Sequence, residues 1–262
     1  MRIIDKVSLF YQTFKGEKSI IGNSLFGLPI YCITVRKSDF PIIVVQSGMH
    51  AREHITTLLS IRLAQDFYDF GKVGTVHFIP LINPDGVCIC ENFNRLYKAN
   101  GRGVDLNVNF PARWGMGEFN KIISGDSDFI GEYPLSEKES SLLCEYTLKV
   151  KPNMTVSYHS KGEEIYWEFG QKGNMRKRDK SIANAVARET GYNVKLTPNS
   201  TGGYKDWCVQ QLKIPALTIE VGADELEHPI GEEYLDSIYQ KNKGVLNVLT
   251  NALTEKIWLK NL

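Results

Sequence analysis

Three side chains that can bind a metal ion follow two predicted strands of this 262-residue sequence. His50 and Glu53 come soon after the apolar run at 42–45, and His159 follows the apolar run at 154–157. Because His50 and Glu53 are three residues apart where a helical pattern begins, their side chains lie on one side of its first turn. Two histidines and one glutamate, with one coordination position left open, are typical of a catalytic zinc site. The sequence therefore predicts one zinc ion per chain.

A rival pair of ligands is present in the same segment, since His50 and His54 are four residues apart. Zinc peptidases that use this spacing carry a glutamate immediately after the first histidine. Here Glu53 stands next to the second histidine instead. We therefore interpret His54 as a structural or supporting residue rather than a ligand.

Glu220 is the candidate general base. It ends the apolar run at 215–219 and so stands at the carboxyl end of another predicted strand. A carboxylate there can take a proton from water and later deliver it to a leaving amine. Considered alone, a strand-end glutamate is usually only solvated. The three candidate ligands favour the catalytic role.

The elements that must position these residues alternate along the chain. Short β-branched runs typical of buried strands lie at 30–35, 42–45, 76–79, 154–157 and 216–219, and helical patterns lie at 53–70, 136–150, 181–190 and 232–258. This alternation predicts an α/β fold with a largely parallel or mixed sheet and helices on both faces. In such sheets ligands bind at the carboxyl ends of the strands. Since no repeat or linker divides the chain, we expect a single domain over residues 1–262.

Composition excludes several classes of protein. With 31 Lys and Arg against 30 Asp and Glu, the net charge is +1 and no basic stripe predicts binding to nucleic acid. No apolar stretch approaches the ~20 residues of a membrane span, and the N-terminus is unlike a signal peptide. An odd number of cysteines, five, is typical of reduced thiols. We therefore expect a cytoplasmic protein with no membrane partner.

Five blocks of the sequence resemble the zinc carboxypeptidase superfamily, which includes the pancreatic carboxypeptidases. They occur in family order at 50–53, 103–110, 157–160, 202–207 and Glu220. The resemblance implies one α/β domain with a mixed, twisted eight-stranded sheet. It also implies that His50, Glu53 and His159 bind the zinc and that Glu220 is the general base and acid.

The departures from the family pattern concern how substrate is held. In the family an Asn-Arg pair grips the terminal carboxylate of the substrate, but here Asn107 is followed by Val108. Valine cannot replace the guanidinium fork, so strict removal of C-terminal residues is in doubt. The family's oxyanion-stabilising arginine falls on Lys98, with Arg102 as a possible substitute.

Two further family positions differ. The family's mobile tyrosine falls on Pro198, and Tyr204 is the candidate that could compensate for it. The residue that selects the substrate side chain falls on Lys205, which predicts an acidic group on the residue after the scissile bond. Lys205 could instead point to solvent.

One branch of the superfamily accounts for these departures: the bacterial endopeptidases that cut between γ-D-glutamate and diaminopimelate in peptidoglycan stem peptides. The segments 159–167 and 104–111 resemble this branch. The resemblance implies a peptidoglycan-derived peptide substrate, positioned by Lys205 and Asn107. Glu163 or Glu164 could bind an ammonium group of the substrate or belong to a solvated loop. The alternatives are a carboxypeptidase for acidic C-terminal residues and a non-catalytic muropeptide-binding protein.

Overall fold

One eight-stranded mixed sheet organises the structure, a computed structural model that describes residues 1–124 and 128–255. The strands are β1 (Glu17–Asn23), β2 (Pro29–Arg36), β3 (Ile42–Gln46), β4 (Thr75–Ile79), β5 (Met154–His159), β6 (Glu164–Tyr166), β7 (Asn193–Lys195) and β8 (Ala216–Glu220). Their order across the sheet is β1-β2-β4-β3-β5-β8-β6-β7. Strands β4, β3, β5 and β8 run parallel to one another, whereas β1 pairs with β2, β2 with β4, and β6 with β8 in antiparallel fashion.

Helices pack on both faces of this sheet. They are α1 (Ile3–Thr13), α2 (Ile55–Phe70), α3 (Pro84–Asn92), α4 (Lys138–Val150), α5 (Gly173–Thr190), α6 (Tyr204–Trp207), α7 (Leu235–Asn242) and α8 (Val245–Glu255). Within residues 1–124 and 128–255, none of these helices is both long enough and apolar enough to cross a membrane.

Alternation along β3 divides the interior into two cores. Ile43 and Val45 pack in one core with side chains of α2, α5 and α8, while Val44 lies in the other with side chains of α4 and α6. Successive side chains of a strand point to opposite faces, so β3 contributes to both cores. The α/β fold with helices on both faces is therefore confirmed.

The five predicted strands are all present, but β1, β6 and β7 were not predicted from their runs of residues. Strand β1 is largely exposed, and β6 and β7 have three residues each, so they carry no long apolar pattern. The predicted helix at 53–70 begins at Ile55, because Ala51–Glu53 forms a 3₁₀ turn first. The predicted helix at 232–258 is two helices, α7 and α8, which are separated at residues 243–244; residues 256–258 lie outside the described part of the chain.

The three parallel strands β3, β5 and β8 are neighbours and end at the same edge of the sheet. His159 at the end of β5 lies opposite Glu220 at the end of β8. The loop after β3 leads directly to His50. All four residues predicted for chemistry therefore come from one edge of the sheet, as expected for this architecture.

Candidate active site

His50, Glu53 and His159 converge in one buried cluster. His50 Nδ1 lies 2.8 Å from Glu53 Oε1, and His159 Nδ1 lies 3.0 Å from Glu53 Oε2. The two Nδ1 atoms are 3.2 Å apart. This is the one group of three potential metal ligands found among residues 1–124 and 128–255, and it does not include His54.

Local backbone geometry explains how two ligands from one segment meet. Gly48 adopts φ +62, and a Cβ there would lie 2.5 Å from Thr57 Oγ1, so only glycine allows the tight turn after β3. The 3₁₀ turn Ala51–Glu53 then follows His50. With three residues per turn, side chains three apart lie one above the other. His50 and Glu53 are therefore stacked towards the same point.

The donor set fits zinc. Atoms bound tetrahedrally at the usual zinc distances of about 2.0–2.2 Å are separated by about 3.3 Å, close to the separations of 2.8–3.2 Å here. Burial opposes the ionised form of the Glu53 carboxyl, but the two imidazoles outweigh it and hold its pKa well below the usual range. Burial lowers the pKa of His159. A carboxylate and a neutral imidazole are the forms that bind a metal ion.

A series of charged side chains contacts the ring nitrogen of His50 that points away from the cluster. His50 Nε2 lies 3.0 Å from Asp105 Oδ1, and Lys98 Nζ lies 2.7 Å from Asp105 Oδ2 and 2.8 Å from Asp128 Oδ1. Although Asp105 is buried, Lys98 and His50 lower its pKa, so it stays ionised. A carboxylate on the remote nitrogen fixes the orientation and tautomer of a metal-binding imidazole.

Glu220 lies beside this cluster at the end of β8. It is opposite His159 on one side and opposite Glu164 of β6 on the other. Burial raises the pKa of the Glu220 carboxyl well above its usual value, and the neighbouring charge of Glu53 adds to the effect. A carboxyl group with a raised pKa suits a general base that must later act as an acid.

A cavity of about 220 Å³ opens next to His50. Most of its lining residues are polar, and they are His50, Lys98, Asp105, Asn107, Val108, Gly117, Phe119, Asn120, Asp128, Asn199, Ser200 and Thr201. Two of the loops in its wall carry residues 117–120 and 199–201. The loops are joined by a hydrogen bond of 3.1 Å from the Glu118 backbone N–H to the Asn199 carbonyl, and by one of 3.3 Å from the Thr201 hydroxyl to Asn120. This cavity has the position expected of a substrate cleft.

The structure brings three of the residues discussed for substrate binding to this cleft and places three others, Arg102, Tyr204 and Lys205, elsewhere. Lys98, Asn107 and Val108 line it. Arg102 instead pairs with Glu132 at 3.2 Å and is not among the lining residues.

Tyr204 does not offer its phenol to the cleft. Its side chain is fully buried in the core beneath α4, where the phenol oxygen lies 2.7 Å from Thr147 Oγ1. The ring packs against Phe110 and Trp207. The expectation that Tyr204 compensates for the tyrosine missing at Pro198 is not supported, because core packing directs the phenol away.

Lys205 is buried rather than solvated. Its ammonium donates 3.0 Å to the Glu168 carbonyl and also pairs with Asp206. Two glutamates are also engaged in ion pairs. Glu163, which precedes β6, pairs with Lys241, and Glu164, the first residue of β6, pairs with Lys195.

Asp105 is the functional residue that sequence reasoning did not assign. A buried partner for His50 cannot be found from spacing, because 54 residues separate the two along the chain. One local signal was available: Asp105 caps the 3₁₀ turn Leu106–Val108 by accepting from Asn107 N at 2.9 Å. That signal predicts an N-cap residue, but it does not predict that Asp105 contacts the metal-binding residue His50.

Comparison with known proteins agrees with this geometry. The model of the zinc carboxypeptidase family, peptidase M14, matches residues 16–243. The chain belongs to the zinc carboxypeptidase family. Members bind one zinc ion, and His50, Glu53 and His159 are the group positioned to hold it. The protein is thus a zinc metallopeptidase.

Two relatives illustrate the range of the family. The chain is 29% identical to γ-D-glutamyl-L-diamino acid endopeptidase 1 of Lysinibacillus sphaericus, over 94% of this chain and 69% of that protein. It is 24% identical to carboxypeptidase B2 of Bos taurus, over 73% of this chain and 54% of that protein.

Solved structures share the fold. A structure of bovine thrombin-activatable fibrinolysis inhibitor in complex with tick carboxypeptidase inhibitor matches with a TM-score of 0.85 at 20% identity, covering 100% of this chain and 98% of that one. Murein-tripeptide amidase MpaA from Escherichia coli O157 matches with a TM-score of 0.64 at 21% identity, over 92% of this chain and 95% of that one. At these identities the similarity establishes the fold alone.

Proposed function

We propose that this zinc peptidase hydrolyses the amide bond between γ-D-glutamate and diaminopimelate in peptidoglycan stem peptides. One observation carries the proposal: the metal ligands and Glu220 are complete, yet Val108 lines the cleft where the family's carboxylate-gripping arginine belongs. An enzyme without that clamp does not require a free C-terminus. When diaminopimelate is followed by D-alanine, its main-chain carboxyl is amide-linked and needs no such partner.

The roles follow from the geometry around the cluster. When bound, zinc polarises the scissile carbonyl and lowers the pKa of water. Glu220 accepts the proton of the attacking water and delivers it to the leaving amine. Lys98 stands in the cleft as a fixed cation, and we assign it the developing negative charge on the carbonyl oxygen. Asn107, in the same wall, is the proposed hydrogen-bonding partner of the substrate backbone.

The names of two similar proteins support the choice of substrate. One is called a γ-D-glutamyl-L-diamino acid endopeptidase and the other a murein-tripeptide amidase. The first name describes a bond between γ-D-glutamate and a diamino acid, and the second describes a murein tripeptide. A cytoplasmic location belongs to the same proposal and rests on the five cysteines, all of which are free thiols.

The test is a mass-spectrometric digest of purified muropeptides by wild type and Glu220→Gln at matched zinc content. We expect free diaminopimelate or diaminopimelyl-D-alanine from wild type alone. The Gln variant keeps the shape of the side chain but cannot accept a proton. If neither protein releases these products while both hold one zinc ion, the proposed substrate is wrong. N-blocked dipeptides with acidic C-terminal residues then test for carboxypeptidase activity.

A further inference from the structure

The ammonium group of Lys98 is held between two carboxylates at the wall of the cleft. Its Nζ lies 2.7 Å from Asp105 Oδ2 and 2.8 Å from Asp128 Oδ1, and all three residues line the cavity. An ammonium group has three donors, so these two contacts leave one. The remaining donor of Lys98 is therefore available to a group that is bound in the cleft.

A lysine at this position needs an outside restraint before it can act on a single atom. The family's arginine carries a planar guanidinium whose donors form a rigid fork, whereas lysine places a point charge on a flexible four-carbon stem. A cation stabilises developing charge best when it is already fixed at the place where that charge forms. The two carboxylates beside Lys98 supply the restraint that a guanidinium has in its own structure.

Hydrogen bonds of the main chain fix the two carboxylates relative to each other. The Asp105 N–H donates to the carbonyl of Phe129, the residue after Asp128, at 2.9 Å. The Asp128 carbonyl accepts from the Lys121 N–H at 2.9 Å. Phe129 is buried. The segments that carry Asp105 and Asp128 are thus joined where they meet the cleft.

Lys98 is a permanent cation that is anchored next to the metal-binding residues. Its carbonyl accepts from the Ala51 N–H at 2.9 Å, and Ala51 stands between two of those residues in the sequence. Burial opposes the charged form of Lys98, but Asp105 and Asp128 outweigh this effect and raise its pKa above the usual value. Lys98 therefore acts through a fixed charge and not by giving up a proton.

The two carboxylates differ in what else they contact. Asp105 is buried and also lies 3.0 Å from His50 Nε2, so replacing it disturbs a metal ligand as well. Asp128 is half-buried and reaches Lys98 from a different segment of the cleft wall. Substitution of Asp128 can therefore test the restraint on Lys98 while the contact between Asp105 and His50 stays in place.

We propose that Asp128 is a positioning residue for the cation that stabilises the oxyanion. Together with Asp105, it directs the remaining donor of Lys98 towards the carbonyl oxygen of the scissile bond. Asp128 acts through Lys98 and not on the substrate. The inference rests on the proposed function, in which Lys98 stabilises the negative charge that develops on that oxygen.

A double-mutant cycle on the zinc-loaded enzyme tests this role, with L-alanyl-γ-D-glutamyl-diaminopimelate as substrate. We expect Asp128→Asn to lower kcat about tenfold and to leave KM within about twofold, because the contact of Lys98 strengthens in the transition state. Lys98→Met, which removes the cation, should lower kcat about 100-fold. In the Lys98→Met background, Asp128→Asn should cause no further loss. The same loss in both backgrounds would assign Asp128 a purely structural role and overturn the proposal.

Glu132→Gln is the matched control. Glu132 is an exposed carboxylate of the same segment that pairs with Arg102 at 3.2 Å and is not among the lining residues of the cleft. Its substitution should leave kcat and KM unchanged. A loss equal to that of Asp128→Asn would mean that the net charge of the segment sets the rate, and the contact with Lys98 would then have no special role.

Proton exchange at the Lys98 ammonium group provides a second readout, which needs no turnover. In protein with isotope-labelled lysine side chains, an ammonium group held by two carboxylates exchanges its protons slowly enough for NMR detection at mildly acidic pH and low temperature. The signal of Lys98 is the one that Lys98→Met removes. We expect Asp128→Asn to speed this exchange severalfold and Glu132→Gln to leave it unchanged.

The two readouts distinguish failure of the proposal from failure of the proposed function. If wild type does not cleave the peptide, the proposed function fails, and proton exchange then decides whether Asp128 holds Lys98. Exchange that is as fast in wild type as in Asp128→Asn overturns the proposal, whichever substrate is cleaved. If wild type is active and Lys98→Met keeps its kcat, the cation has no catalytic role and the proposal for Asp128 is wrong.

Discussion

Glu220 reduces the stability of the metal-free protein as the pH rises, because burial and the charge of Glu53 oppose ionisation of its carboxyl group. Its pKa is raised in the folded state, so folding is favoured below the unfolded value of about 4.3 and loses that contribution as the pH rises through the folded pKa. We predict that metal-free Glu220→Gln is more stable than wild type at pH 8 and that the difference disappears at pH 4. Urea unfolding in chelator at both pH values measures this. Equal stability at pH 8 would contradict the assigned environment.

Asp105 controls the affinity for zinc through His50. Asp105→Asn keeps the size of the side chain but weakens its acceptor bond to His50 Nε2. Loss of such a supporting carboxylate usually costs 10–100-fold in metal affinity, and we expect about that loss here. Competition with a chromophoric chelator measures it. Asp128→Asn is the control, because Asp128 contacts Lys98 at the far end of the chain of charges. Equal losses in both variants would show that general electrostatics, rather than orientation of His50, sets the affinity.

Residues at strand ends could be predicted from the sequence, whereas side-chain directions could not. His50, Glu53, His159 and Glu220 were predicted because each lies at or soon after the end of an apolar run, where parallel sheets collect ligands. Tyr204 was predicted to face substrate, but its phenol contacts Thr147 of α4. That contact joins residues 57 apart in sequence, and no local pattern reports it.

Among the secondary-structure elements, the strands that the sequence predicts best are those buried on both faces of the sheet. Strands β3, β5 and β8 are almost wholly buried and are rich in apolar or β-branched residues. Strand β6 has three residues, two of them half-buried, and its existence depends on pairing with β8. This missed strand places Glu164 and Tyr166 next to Glu220, the proposed general base.

The contact between Gly202, which precedes α6, and Val108 in the wall of the cleft is tested by Gly202→Ala. Gly202 has φ +85, and the new methyl group would also meet the Val108 carbonyl. We expect a loss of about 1–3 kcal/mol in the free energy of unfolding, from backbone strain and displacement together. Gly103→Ala is the control, because Gly103 has φ +80 but open space around it. Urea unfolding should show the smaller loss for Gly103→Ala. Equal losses would mean that the packing of Gly202 on Val108 contributes nothing.

For the whole molecule, the metal site joins separate parts of the chain. His50 and Glu53 follow β3 and His159 ends β5, so Glu53 and its partner histidine are 106 residues apart in sequence. An ion held by all three binds the folded state alone, since the unfolded chain cannot assemble them. Zinc binding is therefore coupled to folding of the entire domain.

This coupling predicts a large shift in thermal stability. A free zinc concentration roughly 1,000 times Kd stabilises the folded state by about 4 kcal/mol, which raises Tm by about 10 °C for a chain of this length. Differential scanning calorimetry with zinc buffered at set free concentrations measures the shift. His159→Ala should lose most of it, because His159 is one of the three converging groups. Glu220→Gln should keep it, since Glu220 is not a member of that group. An undiminished shift in His159→Ala would mean that zinc stabilises the protein from some other site.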